Sequence, residues 1–251
     1  MEHAETRKLV SGAGNAVLFI HGIAGTPNHF VTQIPLVDLV PENWSMYNLL
    51  LDGHGGSAAD FSRTSMEKWK TQVWAAFREL SGTHDHVLIA AHSMGTLFAI
   101  RLALEYPEKI PELFLIAVPM RPWVRLFGAV NCLRLVFGKI REDHSFEVAT
   151  RNACGVTTTR KLWQYMGWIP RFLELFGEIA RTERVMGDLR VPCTAFQSKK
   201  DELVSNLARR VLEKSGVVKI VDLHKSSHFY YHPDDQKTVR ECFVNCIKKH
   251  D

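Results

Sequence analysis

Ser93 lies in the sequence AHSMG (residues 91–95), between an apolar run and a segment with helical periodicity. A serine at a sharp turn from strand to helix exposes its hydroxyl at the carboxyl edge of a sheet. The amides of the following helix then point towards any anion that forms there. Such a turn needs small residues two positions to either side, which Ala91 and Gly95 provide, although glycine is more usual at the first position. We predict that Ser93 is a nucleophile; the simpler alternative is a serine that only caps the helix.

A serine hydroxyl is a weak nucleophile at neutral pH, so it needs an imidazole to accept its proton and a carboxylate to orient that imidazole. The chain contains 12 histidines. His228 is the best candidate because it follows the last apolar run, in a short loop before the final helical segment. We predict that His228 is the base.

The carboxylate should come from the loop after the penultimate strand, where Asp201 stands in the sequence KKDELV. Asp222 lies within a strand pattern, and Asp188 precedes a strand at its wrong end, so neither should reach the carboxyl edge of the sheet. Glu202 is adjacent to Asp201 and is a weaker alternative. The predicted order along the chain is serine, acid, base.

Two backbone amides should stabilise the oxyanion of a tetrahedral intermediate. The turn supplies the amide of Met94, directly after the serine, and the segment HGIAG (residues 21–25) supplies the amide of Ile23. Gly22 allows the backbone to turn closely, and His21 is expected to brace this loop. We predict an oxyanion hole made by Ile23 and Met94.

The sequence does not encode a metal site or a nucleotide site. His232 stands four residues after His228, but no HExxH pattern accompanies the pair. The 5 cysteines form an odd set without CxxC spacing, which predicts free thiols. The segment DGHGGS (residues 52–57) lacks the lysine of a phosphate loop, so His54 is expected to be structural. We predict no metal and no cofactor.

Six short apolar runs predict the strands of a parallel sheet that is buried on both faces. They cover residues 15–22, 45–53, 86–93, 112–119, 191–198 and 217–224. Helical periodicity is present over residues 66–80, 96–106, 206–214 and 234–249. Strands that alternate with helices predict a doubly wound α/β domain with right-handed crossovers.

The interval 120–189 contains no convincing strand pattern but many aromatic residues. A loop of that length without structure is improbable in a compact domain, so we predict a helical cap inserted into one core domain. The core would comprise residues 1–119 and 190–251, and the cap residues 120–189. Apolar cap residues would either line an acyl pocket or only pack the cap on the core. The residues predicted to bind substrate are Met120, Trp123, Gly22 and His92.

Five motifs in this order resemble the α/β-hydrolase family: HGIAGTP (21–27), DGHGGS (52–57), AHSMG (91–95), KKDELV (199–204) and SSHFYYHP (226–233). Within that family the chain is similar to bacterial carboxylesterases and to monoacylglycerol-lipase-like hydrolases with a helical cap. The resemblance covers nearly the whole chain from about residue 16 and implies that His228 is the base. Only about 15 residues precede the first strong strand, so we expect a reduced antiparallel edge on the N-terminal side of the sheet.

The composition is that of an ordinary globular protein, with 46% hydrophobic and 23% charged residues. The formal charge is +4, but no dense Lys/Arg run accompanies stacking aromatics, so we expect no nucleic-acid partner. The first ten residues carry charges where a signal peptide needs an apolar run, and no stretch reaches the roughly 18 apolar residues of a membrane span. We predict a cytoplasmic protein.

These residues together predict a serine hydrolase that acts on a small-molecule carboxylic ester, with a short or medium acyl group or a monoacylglycerol. Two other enzyme activities, thioester hydrolysis and small-peptide hydrolysis, would use the same three residues. A ligand-binding protein with a vestigial triad is the third alternative. The sequence does not predict the oligomeric state.

Overall fold

A seven-stranded sheet runs through the computed structural model, which describes residues 3–122 and 126–251. The strand order is β1-β3-β2-β4-β5-β6-β7, and neighbouring strands are parallel except β1 and β3, which are antiparallel. The strands are β1 (Thr6–Lys8), β2 (Asn15–Ile20), β3 (Ser45–Leu49), β4 (His86–His92), β5 (Leu113–Ile116), β6 (Cys193–Ser198) and β7 (Val218–Leu223). The six parallel strands are those predicted from the apolar runs, so the predicted α/β class is confirmed.

The central strands are apolar on both faces because each face packs against its own cluster of side chains. In β2, Val17 and Phe19 belong to one apolar cluster, and Leu18 and Ile20 belong to the other. All four side chains are fully buried. A strand covered on both sides shows no polar alternation, which is why the apolar runs located the sheet so well.

The apolar runs do not predict β1. Its sequence TRK is charged and mostly exposed, as suits an edge strand that must not pair with another chain. The Arg7 guanidinium lies 3.9 Å from the centre of the Tyr47 ring and also bonds Glu79. A single short antiparallel strand at this edge agrees with the reduced edge that was expected.

Eight α-helices are present in the described residues: α1 (Ala58–Arg63), α2 (Met66–Ser81), α3 (Met94–Glu105), α4 (Leu126–Val136), α5 (Ser145–Ala153), α6 (Trp168–Val185), α7 (Ala208–Leu212) and α8 (Pro233–His250). Helices α2, α3, α7 and α8 match the predicted ones. Helix α1 is not predicted, although Ser57 and Asp60 form a capping box at its start. Six residues are too few to show a helical period.

Helices cover both faces of the sheet, as a doubly wound fold requires. Trp69 and Phe77 of α2 and Phe98 of α3 belong to the apolar cluster on one face. Val239 and Phe243 of α8 belong to the cluster on the other face. The carboxyl edge of the sheet is therefore held rigidly between two packed layers.

The interval between β5 and β6 is helical and contains α4, α5 and α6, with no strand among its described residues. Helix α6 packs on α3, α1 and α2. This arrangement agrees with a helical insertion, while the exact division at residues 119/120 and 189/190 stays a prediction. Within residues 3–122 and 126–251, no helix combines the length and the apolar character that a membrane span needs.

Candidate active site

Ser93 occupies the turn between β4 and α3, with φ +50° and ψ −122°. A non-glycine residue with positive φ is strained, and the close packing on both sides holds it there. A Cβ at Gly95 would collide with the carbonyl oxygen of Ile20, and a Cβ at Gly22 would lie 2.8 Å from Ser93 Cβ. Both positions therefore require glycine. Ala91, where a glycine is more usual, is fully buried in β4.

The structure brings Ser93, His228 and Asp201 together in one chain of hydrogen bonds. His228 Nε2 lies 3.1 Å from Ser93 Oγ, and His228 Nδ1 lies 2.9 Å from Asp201 Oδ2. All three residues are buried. The other carboxylate oxygen, Asp201 Oδ1, accepts the backbone N–H groups of Leu203 and Val204 at 2.8 Å each. The imidazole is thus placed to remove the proton of the serine hydroxyl.

Burial of the His228 ring opposes its protonation, but the charge and hydrogen bond of Asp201 outweigh burial and raise the pKa of His228 above its usual value. The nearby charge of Glu202 acts in the same direction. A base with a raised pKa holds the proton it takes from serine more firmly. The environment of the ring therefore favours its protonated, imidazolium form.

The loop that carries His228 is fixed from two sides. Asp235, at the start of α8, accepts the successive backbone N–H groups of His224, Lys225 and Ser226 at 3.3, 2.8 and 2.8 Å. On the far side of the histidine, the hydroxyl of Tyr231 donates to the carbonyl oxygen of His228 at 3.2 Å. The ring is consequently held in position by its own main chain as well as by Asp201.

The predicted oxyanion donors, Ile23 and Met94, lie near Ser93: Met94 directly follows it in the chain, and Ile23 lines the same cavity. Met94 begins α3, where the amides of the first turn have no acceptor within the helix. Ile23 lines the cavity at Ser93. Their assignment as an oxyanion hole is a proposal taken up below.

His21 braces the loop that carries Ile23. The N–H of Leu51 donates to His21 Nε2 at 3.1 Å, so the proton of the neutral ring is on Nδ1, which donates to the carbonyl oxygen of Gly22 at 2.8 Å. Burial lowers the pKa of His21 to about 4, so the ring is neutral near pH 7. His54 packs edge-on against His21 and donates to backbone carbonyls, as expected for a structural residue.

His92, one of the residues predicted to bind substrate, stacks between two other histidines. Its ring centre lies 3.8 Å from that of His29 and 4.9 Å from that of His228. Burial lowers the pKa of both His29 and His92, so these two rings are neutral near pH 7. The sequence does not predict that His29 lies beside His92, because His29 belongs to a π-helical turn (His29–Gln33) far from Ser93 in the chain.

A narrow, partly enclosed cavity of about 40 Å³ lies at Ser93. Gly22 and His92, two of the residues predicted to bind substrate, are among the residues that line it. Met120 is not among the lining residues; its side chain is fully buried in the core cluster. Trp123 lies outside the described residues. The full lining consists of His21, Gly22, Ile23, Gly25, Thr26, His29, His92, Ser93, Ala153, Leu203, His228 and Phe229.

Larger depressions exist on the surface but lack these groups. One of them, of about 610 Å³, is an open groove along α8, and none of the three hydrogen-bonded residues lines it. We therefore identify the small cavity at Ser93 as the candidate active site.

A short segment of the helical insertion, residues 154–157, is wedged between two loops of the core. The N–H of Gly155 donates to the carbonyl oxygen of Ala24 at 2.8 Å, and Gly155 accepts the N–H of Gly55 at 2.5 Å. The N–H of Thr157 donates to Gly56 at 2.8 Å. A Cβ at Gly155 would collide with the carbonyl oxygen of Gly25. The insertion thus contacts the backbone of the Ile23 loop directly.

One group of possible metal ligands is found in the described residues, formed by Glu112, Cys246 and His250, whose ligand atoms lie within 4.8 Å of one another. Glu112 precedes β5, so the group lies at the amino edge of the sheet, opposite to Ser93. Lys249 Nζ lies 2.9 Å from Glu112 Oε2 and balances its charge. We assign no metal to this group.

The sheet, the nucleophile turn and the hydrogen-bonded chain together define an α/β-hydrolase. The sequence pattern of the family described as "Serine aminopeptidase, S33" matches residues 12–232, and the chain belongs to this family of hydrolases. No curated protein sequence matches the chain.

Solved structures with lipolytic and esterase activities share the fold at low identity. A structure from LipS and LipT, two metagenome-derived lipolytic enzymes, has a TM-score of 0.74 and 18% identity, over 99% of this chain and 98% of that one. The monoacylglycerol lipase of Paleococcus ferrophilus has a TM-score of 0.69 and 16% identity over 100% of both chains. A carboxylesterase structure from the thaumarchaeon Nitrososphaera gargenis has a TM-score of 0.67 and 14% identity, over 98% of this chain and 96% of that one. At these identities the likeness establishes the fold alone.

Proposed function

We propose that the protein hydrolyses carboxylic esters through an acyl-enzyme on Ser93. The observation that carries this proposal is the hydrogen-bonded chain from Ser93 Oγ through His228 to Asp201, with distances of 3.1 and 2.9 Å. Hydroxyl, imidazole and carboxylate in this order perform nucleophilic catalysis on several unrelated folds. The lipolytic and esterase activities of the structural neighbours support the same chemistry.

In the first half of the reaction, Ser93 Oγ attacks the ester carbonyl carbon while its proton passes to His228 Nε2. The backbone amides of Ile23 and Met94 stabilise the oxyanion that forms. The imidazolium then gives its proton to the departing alkoxide, so the alcohol leaves and the acyl group remains on Ser93. In the second half, water gives a proton to His228 as its oxygen attacks the acyl carbon. The bond between that carbon and Ser93 Oγ then breaks, the imidazolium returns the proton to Oγ, and the carboxylic acid leaves.

An ester substrate fits the cavity better than a free peptide N-terminus does. An aminopeptidase must bind the α-ammonium group of its substrate, and a buried ammonium needs a negative partner. Among the described residues that line the cavity, none has a carboxylate side chain. Its apolar members, Ile23, Ala153, Leu203 and Phe229, instead support an uncharged acyl or aryl group. Acyl thioesters also carry an uncharged acyl group, so thioester hydrolysis is the second candidate.

The remaining details of the proposal rest on sequence. We propose that the helical insertion, residues 120–189, acts as a cap over this cavity, and that the acyl group is short or medium in length or belongs to a monoacylglycerol. Gly22 and His92 would contact the substrate, whereas the roles of Met120 and Trp123 stay predictions. A cytoplasmic location also stays a prediction.

The proposal is tested with purified protein, a fluorophosphonate probe and three sets of substrates: nitrophenyl esters, acyl thioesters and aminoacyl anilides. We expect the probe to label Ser93, and we expect esters to be hydrolysed faster than anilides. Ser93→Ala should abolish labelling and turnover, while Ser81→Ala, at the end of α2, should change neither. Absence of labelling in the wild-type protein would instead favour a ligand-binding role, and preference for aminoacyl anilides would favour a peptidase.

A further inference from the structure

Glu202 is a buried acid next to Asp201 that has no part in the mechanism above. The residue is 3% exposed. Its Oε2 accepts the backbone N–H of His228 at 2.8 Å, and its Oε1 accepts the hydroxyl of Ser227 at 3.4 Å. Two neighbouring carboxyl groups therefore hold two different parts of the same histidine: Asp201 holds the ring, and Glu202 holds the main chain.

Helix α4 of the insertion packs on the stem of Glu202. A Cβ at Gly128 would lie 3.0 Å from both Cβ and Cγ of Glu202. A carboxyl group in such a position loses much of its hydration, and this loss is compensated only by hydrogen bonds and opposite charge. The hydrogen bonds and the opposite charge both come from the His228 loop, so Glu202 and His228 stabilise one another.

The groups that face this pair come from several elements. Asp201 and Ser93 face the His228 ring from the carboxyl edge of the sheet, and His92 and His29 stack beside it. The groups that interact electrostatically with Glu202 are Asp201, His228, Tyr231 and Cys132 of α4. Among the described residues of this set, only the two carboxyl groups can place a negative charge beside the imidazole near neutral pH.

We propose that Glu202 is a positioning residue: it fixes the main chain of His228 so that Nε2 reaches Ser93, and its negative charge stabilises the imidazolium formed during attack. This inference rests on the proposed function, since it assigns a role within the same reaction. Burial raises the pKa of Glu202, and the charge of His228 opposes that effect. The charge of the acid and the charge of the base are thereby coupled.

Two substitutions separate the two parts of this role. Glu202→Gln keeps an oxygen that accepts the N–H of His228 but removes the charge. The imidazolium then loses stabilisation, so the pKa of His228 falls and the acid limb of the kcat/KM profile moves to lower pH. Glu202→Leu removes the acceptor as well, and kcat should fall about tenfold to a hundredfold with little change in KM, because small displacements of a catalytic group cost up to about 10²-fold. The Gln variant should lose less kcat than the Leu variant.

Glu213→Gln, an exposed substitution with the same change in net charge, serves as the control and should leave the pH profile in place. The pKa of His228 is also measured by NMR titration in the Ser93→Ala background, with and without Glu202→Gln, which needs no catalytic activity. An acid limb and a His228 pKa that are the same with Gln as with Glu would overturn the electrostatic role. A Leu variant that folds and keeps the wild-type kcat would overturn the positioning role. Failure of wild-type ester hydrolysis would count against the proposed function. The NMR comparison would still decide whether Glu202 acts on the pKa of His228.

Discussion

Asp201 contributes its two oxygens to two separate tasks. Oδ2 accepts the ring N–H of His228, while Oδ1 accepts the amides of Leu203 and Val204 and so fixes the turn after β6. The carboxylate cannot rotate to serve the ring differently without breaking that turn. The tautomer of His228, with its proton on Nδ1, is therefore determined by the backbone that follows Asp201.

Asp201→Asn is expected to reduce kcat about 10⁴-fold while leaving the fold intact. The amide oxygen of asparagine would keep the amides of Leu203 and Val204, so its NH₂ group would donate to His228 Nδ1. The ring proton would then sit on Nε2, which could no longer accept the proton of Ser93. Turnover of a nitrophenyl ester and thermal denaturation measure the two effects.

Asp222→Asn is the matched control, because Asp222 pairs with Arg209 on the surface side of β7. We expect this variant to keep kcat near the wild-type level. A loss of less than tenfold in Asp201→Asn would mean that another acid, with Glu202 the first candidate, can orient His228.

The sequence was enough to predict that Ser93, Asp201 and His228 come together, because each lies within a few residues of the end of an apolar strand and these ends meet at one edge. It was not enough to predict the contact between Glu202 and His228. That contact joins a side chain to a backbone N–H 26 positions away, and a backbone donor has no residue type to recognise. Met120 shows the opposite difficulty, since spacing alone cannot separate a pocket residue from a fully buried core residue.

Among the larger elements, the wedged segment of residues 154–157 is the one that links the helical insertion to the Ile23 loop. Ala24 in that loop has φ +51°, and its carbonyl oxygen accepts the N–H of Gly155. Neither the strained residue nor its partner belongs to a helix or strand of the sheet. The position of the Ile23 amide therefore depends on the insertion as well as on His21.

Gly155→Ala is expected to lower kcat through this link. The added methyl group would collide with the carbonyl oxygen of Gly25 and push the Ile23 loop away from Ser93. Loss of one oxyanion donor costs about 10²- to 10³-fold in kcat, which is the upper limit of the effect. Ester turnover and the thermal midpoint should be measured together, because overpacking also destabilises the fold by about 1–3 kcal/mol.

The control is Gly187→Ala in the same insertion, where a Cβ would meet no atom within 4 Å. This variant should retain both kcat and thermal midpoint. If Gly155→Ala lowers the thermal midpoint but leaves kcat unchanged, the segment supports the fold without supporting the oxyanion hole.

The strands and long helices could be predicted from sequence, whereas the wedged segment, α1 and β1 could not. Strands buried on both faces and helices of several turns repeat their apolar pattern often enough to be recognised. Residues 154–157 are held by backbone hydrogen bonds to two distant loops, and such bonds do not depend on side-chain type. Only the tertiary arrangement brings residues 154–157 and these two loops together.

At the scale of the whole molecule, the space for a substrate at Ser93 is narrow. The cavity measures about 40 Å³, and Ala153 of the insertion is part of its lining. We expect an acyl chain of several carbons to enter only if residues around the cavity move. Most of the exposed large apolar side chains in the described residues lie between 126 and 176, so the apolar part of the surface lies on the insertion.

Because the cavity is narrow and Ala153 of the insertion lines it, we expect access for long chains to depend on ion pairs within the insertion. Burial opposes ionisation of Glu147, but hydrogen bonds from Arg141 and the charge of Arg134 lower the pKa of Glu147 to about 2. Glu147→Gln weakens this network and should loosen α4 and α5. We expect faster labelling of Ser93 by a long-chain fluorophosphonate, with a smaller change for an ethyl-sized probe.

Glu142→Gln removes an exposed carboxylate that pairs with Arg151 in the same region, and it should change neither rate. Equal acceleration of the short and long probes by Glu147→Gln would show that the substitution alters the nucleophile rather than access to it.

The hydrogen bonds from three successive amides before His228 to Asp235 affect how the protein responds to warming. The first turn of α8 and the loop of the base share one set of hydrogen bonds, and helix ends fray before sheets separate. Fraying of that turn would also release the loop that carries His228. We therefore expect activity to be lost on warming before the seven strands come apart.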